Sequence, residues 1–122
     1  MRVPFEYAVI RLVPRVERGE QMNVGVILYC QGHDFLGART HLDADRARAL
    51  SPDVDLEAVA AVLRSWDRTC DGDGPARQMK RGERFRWLAA PRSTMIQAGP
   101  VHTGLTADPA AELDRLMDAL VR

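Results

Sequence analysis

Lysine, cysteine, aromatic residues and long apolar runs are all scarce in this chain, and each scarcity excludes something. Cys30 and Cys70 are the only cysteines, with no C-x-x-C pair and no zinc spacing. A disulfide framework and a thiolate metal site are therefore not expected. The histidines, His33, His41 and His102, are not at helical i, i+4 spacing, and no carboxylate run resembles a calcium loop. No metal and no cofactor is expected, since there is also no Walker loop and no G-x-G-x-x-G. No apolar run approaches the ~18 residues that read as a membrane span. The start, MRVPFEYAV, lacks the apolar segment and small-residue cleavage site of a signal peptide. A cytoplasmic location with free thiols and no membrane contact is the expectation.

Charge of one sign is lacking as well. Seventeen basic and seventeen acidic residues cancel, so nothing in the total draws nucleic acid or an acidic membrane. Lys80 is the sole lysine, which leaves arginine, with its planar fork for carboxylate or phosphate, at every other basic position. The distribution is uneven. Residues 43–73 carry eight acids against four arginines, and residues 74–92 carry six bases against Glu83 alone.

What is present is the material of one α+β domain over residues 1–122: the chain has one domain's length and an ordinary apolar share of 46%. Phe5–Val13 and Val24–Cys30 read as two antiparallel strands, the first apolar on both alternate sets and so covered on both faces. Gly25 suggests a bulge or a close backbone approach. Phe35–Leu42 reads as a third strand, Asp43 caps a short helix to Leu50, and Ser51-Pro52 opens a helix over Asp53–Arg68. Cys70–Gly74 is a loop and the segment nearest to disorder. Gly82–Ala89 fits helix or strand, with a short helix favoured because Pro91 ends it. Ser93–Gln97 is a fourth strand, kinked at Gly99-Pro100 and continued or paired over Val101–Thr103. Asp108-Pro109 starts the last helix. The order predicts a mainly antiparallel sheet of four or five strands with two main helices on one face.

Three clusters could carry chemistry. The loop with Arg15, Glu17, Arg18 and Glu20 can clamp a phosphate through its arginines, or bind a metal or share a proton through its carboxylates, or simply neutralise itself on the surface. Asn23 stands beside it. The basic segment Arg77, Lys80, Arg81, Arg84, Arg86 and Arg92 interleaves with Phe85 and Trp87. Arginine interleaved with aromatic residues is a nucleic-acid pattern. At zero net charge the segment reads rather as a short amphipathic helix with an aromatic core face, and the segregated charge suits protein docking. The third cluster is Arg92, Ser93, His102 and Thr103 around glycine turns. Ser93, His102 and Asp108 have the residue types of a hydrolase triad, but no G-x-S-x-G elbow accompanies them.

The pieces YAVIRLVPRVERGEQMNVGVILYC (Tyr7–Cys30), FLGAR (Phe35–Arg39), RFRWLAAPRST (Arg84–Thr94) and PVHTGL (Pro100–Leu105) resemble a bacterial family known as domain of unknown function 3037. Met22 departs from its pattern, where an aromatic or small apolar residue is expected. The resemblance implies no catalytic residues. It does imply a neighbour, a HipA-like kinase often encoded beside family members, and hence a protein partner. The expectation is an accessory interaction module whose partner-binding residues are Arg77, Lys80, Arg81 and Arg84. The alternative is an enzyme acting on a phosphate-containing substrate. Its cleft would form where the Arg15–Glu20 loop and the Arg92–Thr103 stretch meet, with Arg15, Arg18 and Arg92 as clamps and His102 as the titrating group.

Overall fold

The structure is a computed structural model that describes residues 1–122. Five strands form one antiparallel sheet: β1 (Val3–Leu12), β2 (Met22–Cys30), β3 (Phe35–Thr40), β4 (Ile96–Ala98) and β5 (His102–Thr106). The order is β3-β2-β1, and β4 and β5 share the far side of β1. β5 pairs with its first half, Tyr7 opposite His102, and β4 with its end, Leu12 opposite Ile96. The four helices are α1 (Ala44–Leu50), α2 (Leu56–Cys70), α3 (Arg81–Ala89) and α4 (Pro109–Leu120). A single α+β domain with an antiparallel sheet is what the sequence patterns require.

The helices divide between the two faces rather than sharing one. On one face α2 and α3 bury Val59, Leu63, Trp66, Phe85 and Leu88 against Ala8, Ile10 and Ile27. On the other, α4 buries Leu113, Leu116 and Met117 against Phe5, Val26 and Leu28. Ile27 and Leu28 are successive residues of a strand, so they must point to opposite faces. β1 and β2 are apolar on both sets because both are covered.

Gly25 does mark a bulge. Ile10 lies opposite Gly25 and Arg11 opposite Asn23, so Val24 is an extra residue on β2. A Cβ on Gly25 would stand 2.5 Å from the carbonyl oxygen of Arg39, so the two backbones approach more closely than any side chain permits.

Three element boundaries differ from the sequence expectation. The Ser51-Pro52 pair does not cap α2. It makes a turn in which Val54 N–H donates to Ser51 C=O at 3.1 Å, and Asp55 caps the helix by accepting from Ala58 N–H at 3.0 Å. Turning first lets Val54 reach the core before the helix begins. β4 starts at Ile96 instead of Ser93, after the Thr94 hydroxyl has donated to Ile96 C=O. Cys70–Gly74 is not a disordered loop but a bonded helix end. Asp71, Gly72 and Asp73 each donate a backbone N–H back into the last turn of α2 at 3.0 Å. Gly72 has φ +80°, the left-handed conformation that ends helices and that glycine adopts without cost. Gly82–Ala89 lies within a helix. Phe85 and Leu88 face the core, as the helical spacing requires, and Trp87 faces solvent.

Candidate functional site

The loop between β1 and β2 closes on itself. Arg18 N–H donates to Arg15 C=O at 3.0 Å, and Gly19 N–H reaches both Arg15 and Val16. Side chains two apart then fall side by side. Arg15 pairs with Glu17 at 2.9 Å and Arg18 with Glu20 at 2.6 Å, all four exposed. Glu17 is held below the usual carboxylate range by a bond from its own backbone and then by Arg15; Glu20 is lowered by Arg18. Each guanidinium therefore already has a carboxylate.

The loop forms one wall of an open cleft of about 580 Å³. The other wall is the α1–α2 connection, Leu50 to Asp55, with Met95 between. Asp53 and Asp55 line the cleft along with Arg15 and Arg18, so it is mixed in charge. Its far wall escaped the sequence patterns because Ser51-Pro52 and Asp53–Asp55 read as the start of α2 rather than as a turn ahead of it.

The Arg92–Thr103 stretch reaches the loop only at its start. Val13 N–H donates to Met95 C=O at 2.7 Å, which seats residue 95 at the loop's base. His102 lies opposite Tyr7, five residues back along β1 from Leu12, about 17 Å at ~3.3 Å per strand residue. Its ring rests against that of Tyr7, centroids 5.3 Å apart. Thr103 lies opposite Glu6 and lines a separate cleft of about 660 Å³ with Val3, Tyr29 and Gln31. Ser93 is exposed in the link that follows α3. Asp108 caps α4 by accepting from Ala111 N–H. The backbone register thus separates the proposed clamp from its titrating group, and the triad types have other work.

Two candidate residues turn inward. Asn23 donates its side-chain amide to Leu120 C=O at 2.9 Å and ties β2 to the end of α4. Arg84 donates from Nη1 to Cys70 C=O at 2.6 Å and from Nε to Met79 C=O at 3.2 Å, clasping the end of α2. The Cys70 thiol beneath it is pushed up to about 12, by burial first and then by Asp67 and Asp71, so it stays protonated and unreactive near neutrality.

The rest of the basic segment points out. Arg77, Lys80, Arg81 and Arg86 are exposed. Beyond them in the chain Trp87 is 50% exposed, and the Arg92 guanidinium lies 5.1 Å from its ring centroid while donating to the Trp87 carbonyl. The sequence marked the arginines; whether Phe85 or Trp87 would stay outside was decided by the helix phase.

No group of three or more His, Cys, Asp or Glu is arranged to hold a metal ion, and no helix is long and apolar enough to cross a membrane. A family model described as "Protein of unknown function (DUF3037)" matches residues 7–121. No curated protein and no solved structure matches the chain.

Proposed function

The chain belongs to the DUF3037 family, and from that premise we propose that it is a protein-interaction module docking through α3 and its flanks. The observation that carries this reading is Trp87, half exposed beneath the Arg92 guanidinium on a helix whose Arg81 and Arg86 are also exposed. A large aromatic ring in water is the residue type whose burial dominates interface energetics, and arginine is its commonest companion there. The exposed cations Arg77, Lys80, Arg81 and Arg86 on the same segment suit a partner with an acidic face, steering association without a net field on the molecule.

The candidate partner is the HipA-like kinase that the family resemblance implies. The phosphate-ester alternative is less well supported, because Arg15 and Arg18 are each held by a glutamate and His102 stands some five strand residues away.

The test is calorimetric binding of the purified kinase to wild type, to Trp87→Ala and to Arg81→Glu/Arg86→Glu. Trp87→Ala should weaken binding by at least about tenfold, the range of an interface anchor. The double reversal should slow association and flatten its salt dependence, with thermal stability kept within about 0.5 kcal/mol. A kinase that neither binds the wild-type protein nor changes rate in its presence ends the kinase assignment. A bound kinase indifferent to Trp87→Ala ends the docking face.

A further inference from the structure

Independently of α3, we propose that the free edge of β3 takes up an extended basic segment of another protein as an additional strand. β3 pairs with β2 alone, so its other side is an unpaired sheet edge. His41 N–H bonds to Val24 C=O, and by strand alternation Phe35, Gly37 and Arg39 direct their backbone groups to β2. Leu36, Ala38 and Thr40 direct theirs outward. The Ala38 carbonyl fits this, since it accepts from the Arg39 guanidinium at 3.2 Å. This edge is not flush with solvent. All six residues of β3 line a groove of about 500 Å³, whose other lining residues are Asp67, Cys70 and Asp71 of α2.

The charge of that wall selects the occupant. Asp67 and Asp71 are one helical turn apart, like charges on one side of the helix, at its C-terminal end where the helix dipole is already negative. Neither carboxylate has a salt-bridge partner; Arg39, the cation nearest in effect, is paired with Asp114 at 3.6 Å. A sheet edge offers main-chain bonds to any strand, but this wall favours one with lysine or arginine at alternate positions. A second copy of the chain fits less well. Antiparallel pairing of two β3 edges places the two-fold axis normal to the sheet, so both α2 helices and both acidic pairs would meet on the same face.

The probe is an acetylated, amidated (Lys-Val)4 peptide titrated into the isotope-labelled protein, with (Glu-Val)4 in parallel. The basic peptide should shift the amide signals of Leu36, Ala38 and Thr40 and slow their hydrogen exchange. Its binding should weaken as salt rises, and about fivefold in Asp67→Asn/Asp71→Asn, as two partly exposed ion pairs would give. The salt series uses the wild-type chain, so it decides the matter even if the double variant folds poorly. Four outcomes overturn the proposal: no binding, equal binding of the acidic peptide, salt-independent binding, or shifts confined to residues outside β3. A β3-mediated dimer that the peptide does not displace overturns it as well.

Discussion

Arg81 and Arg84 stand three residues apart on one short helix and do different jobs. Arg81 is exposed, whereas Arg84 places its guanidinium over the end of α2 and bonds two backbone carbonyls. Those carbonyls belong to a helix end and a turn, where acceptors otherwise go unfilled. Arg84→Ala should therefore cost about 1.5–3 kcal/mol in urea denaturation, the range for bonds from a charged donor, while Arg81→Ala stays within about 0.5 kcal/mol. Equal costs would remove Arg84 from the structural role. Asn23 is a parallel case. It spans 97 positions of sequence to reach Leu120, and Asn23→Ala should cost about 1 kcal/mol by the same measurement. Neither role can be read from composition, because an arginine or asparagine beside polar neighbours looks the same whether its partner is a ligand or a distant carbonyl.

At the scale of elements, the last turn of α2 is a place where local electrostatics oppose the fold. Asp67 is half-buried, and its carboxyl is raised above the usual range, first by that burial and then by Asp71, with Arg39 pulling the other way. A raised folded value means that the native state holds this proton more tightly than the unfolded chain does. Stability from Asp67 is complete below its unfolded value and is lost as pH rises through the folded one. Asp67→Asn should thus raise the melting temperature at pH 7 and leave it nearly unchanged at pH 3. Thermal melts of the two proteins at both values check this, and a stabilisation as large at pH 3 as at pH 7 would contradict it. The β1–β2 loop shows the opposite sign. Glu17 and Glu20 are lowered, so what they add is present near neutrality and fades on acidification, but on a fully exposed turn it is screened.

The whole molecule is one sheet with a core on each face, and β2 belongs to both. Ile27 and Leu28 are fully buried on opposite sides. Because one strand links the two cores, they are expected to melt together. Ile27→Ala and Leu28→Ala should each cost about 2–5 kcal/mol, in the range for large-to-small core changes. Both should lower the same single transition, followed by tryptophan fluorescence for the α2 face and by far-ultraviolet circular dichroism for the whole. Two separate transitions in Leu28→Ala would show independent cores.

The sequence by itself determined the elements and the character of the central strands. The apolar alternate sets of β1 announced a strand covered on both faces, Asp43 and Asp108 announced their helices, and Gly25 announced a bulge or close backbone approach, all through patterns within a few residues of one another. The spacing of residues 82–89 fitted helix and strand alike, with Pro91 tipping it to the helix that α3 is. Tertiary structure decided which faces the helices cover, where α2 begins, and which polar residues share a site. His102 and Thr103 follow β4 closely in sequence, yet the shared far side of β1 sets them about five residues from the Arg15–Glu20 loop. Residues 50–55 read locally as the start of a helix, yet they form that loop's facing wall. The reason is physical: periodicity and capping act over one or two turns of chain, whereas strand register and the closure of a cleft depend on contacts between segments far apart in sequence, which only burial of the common core selects.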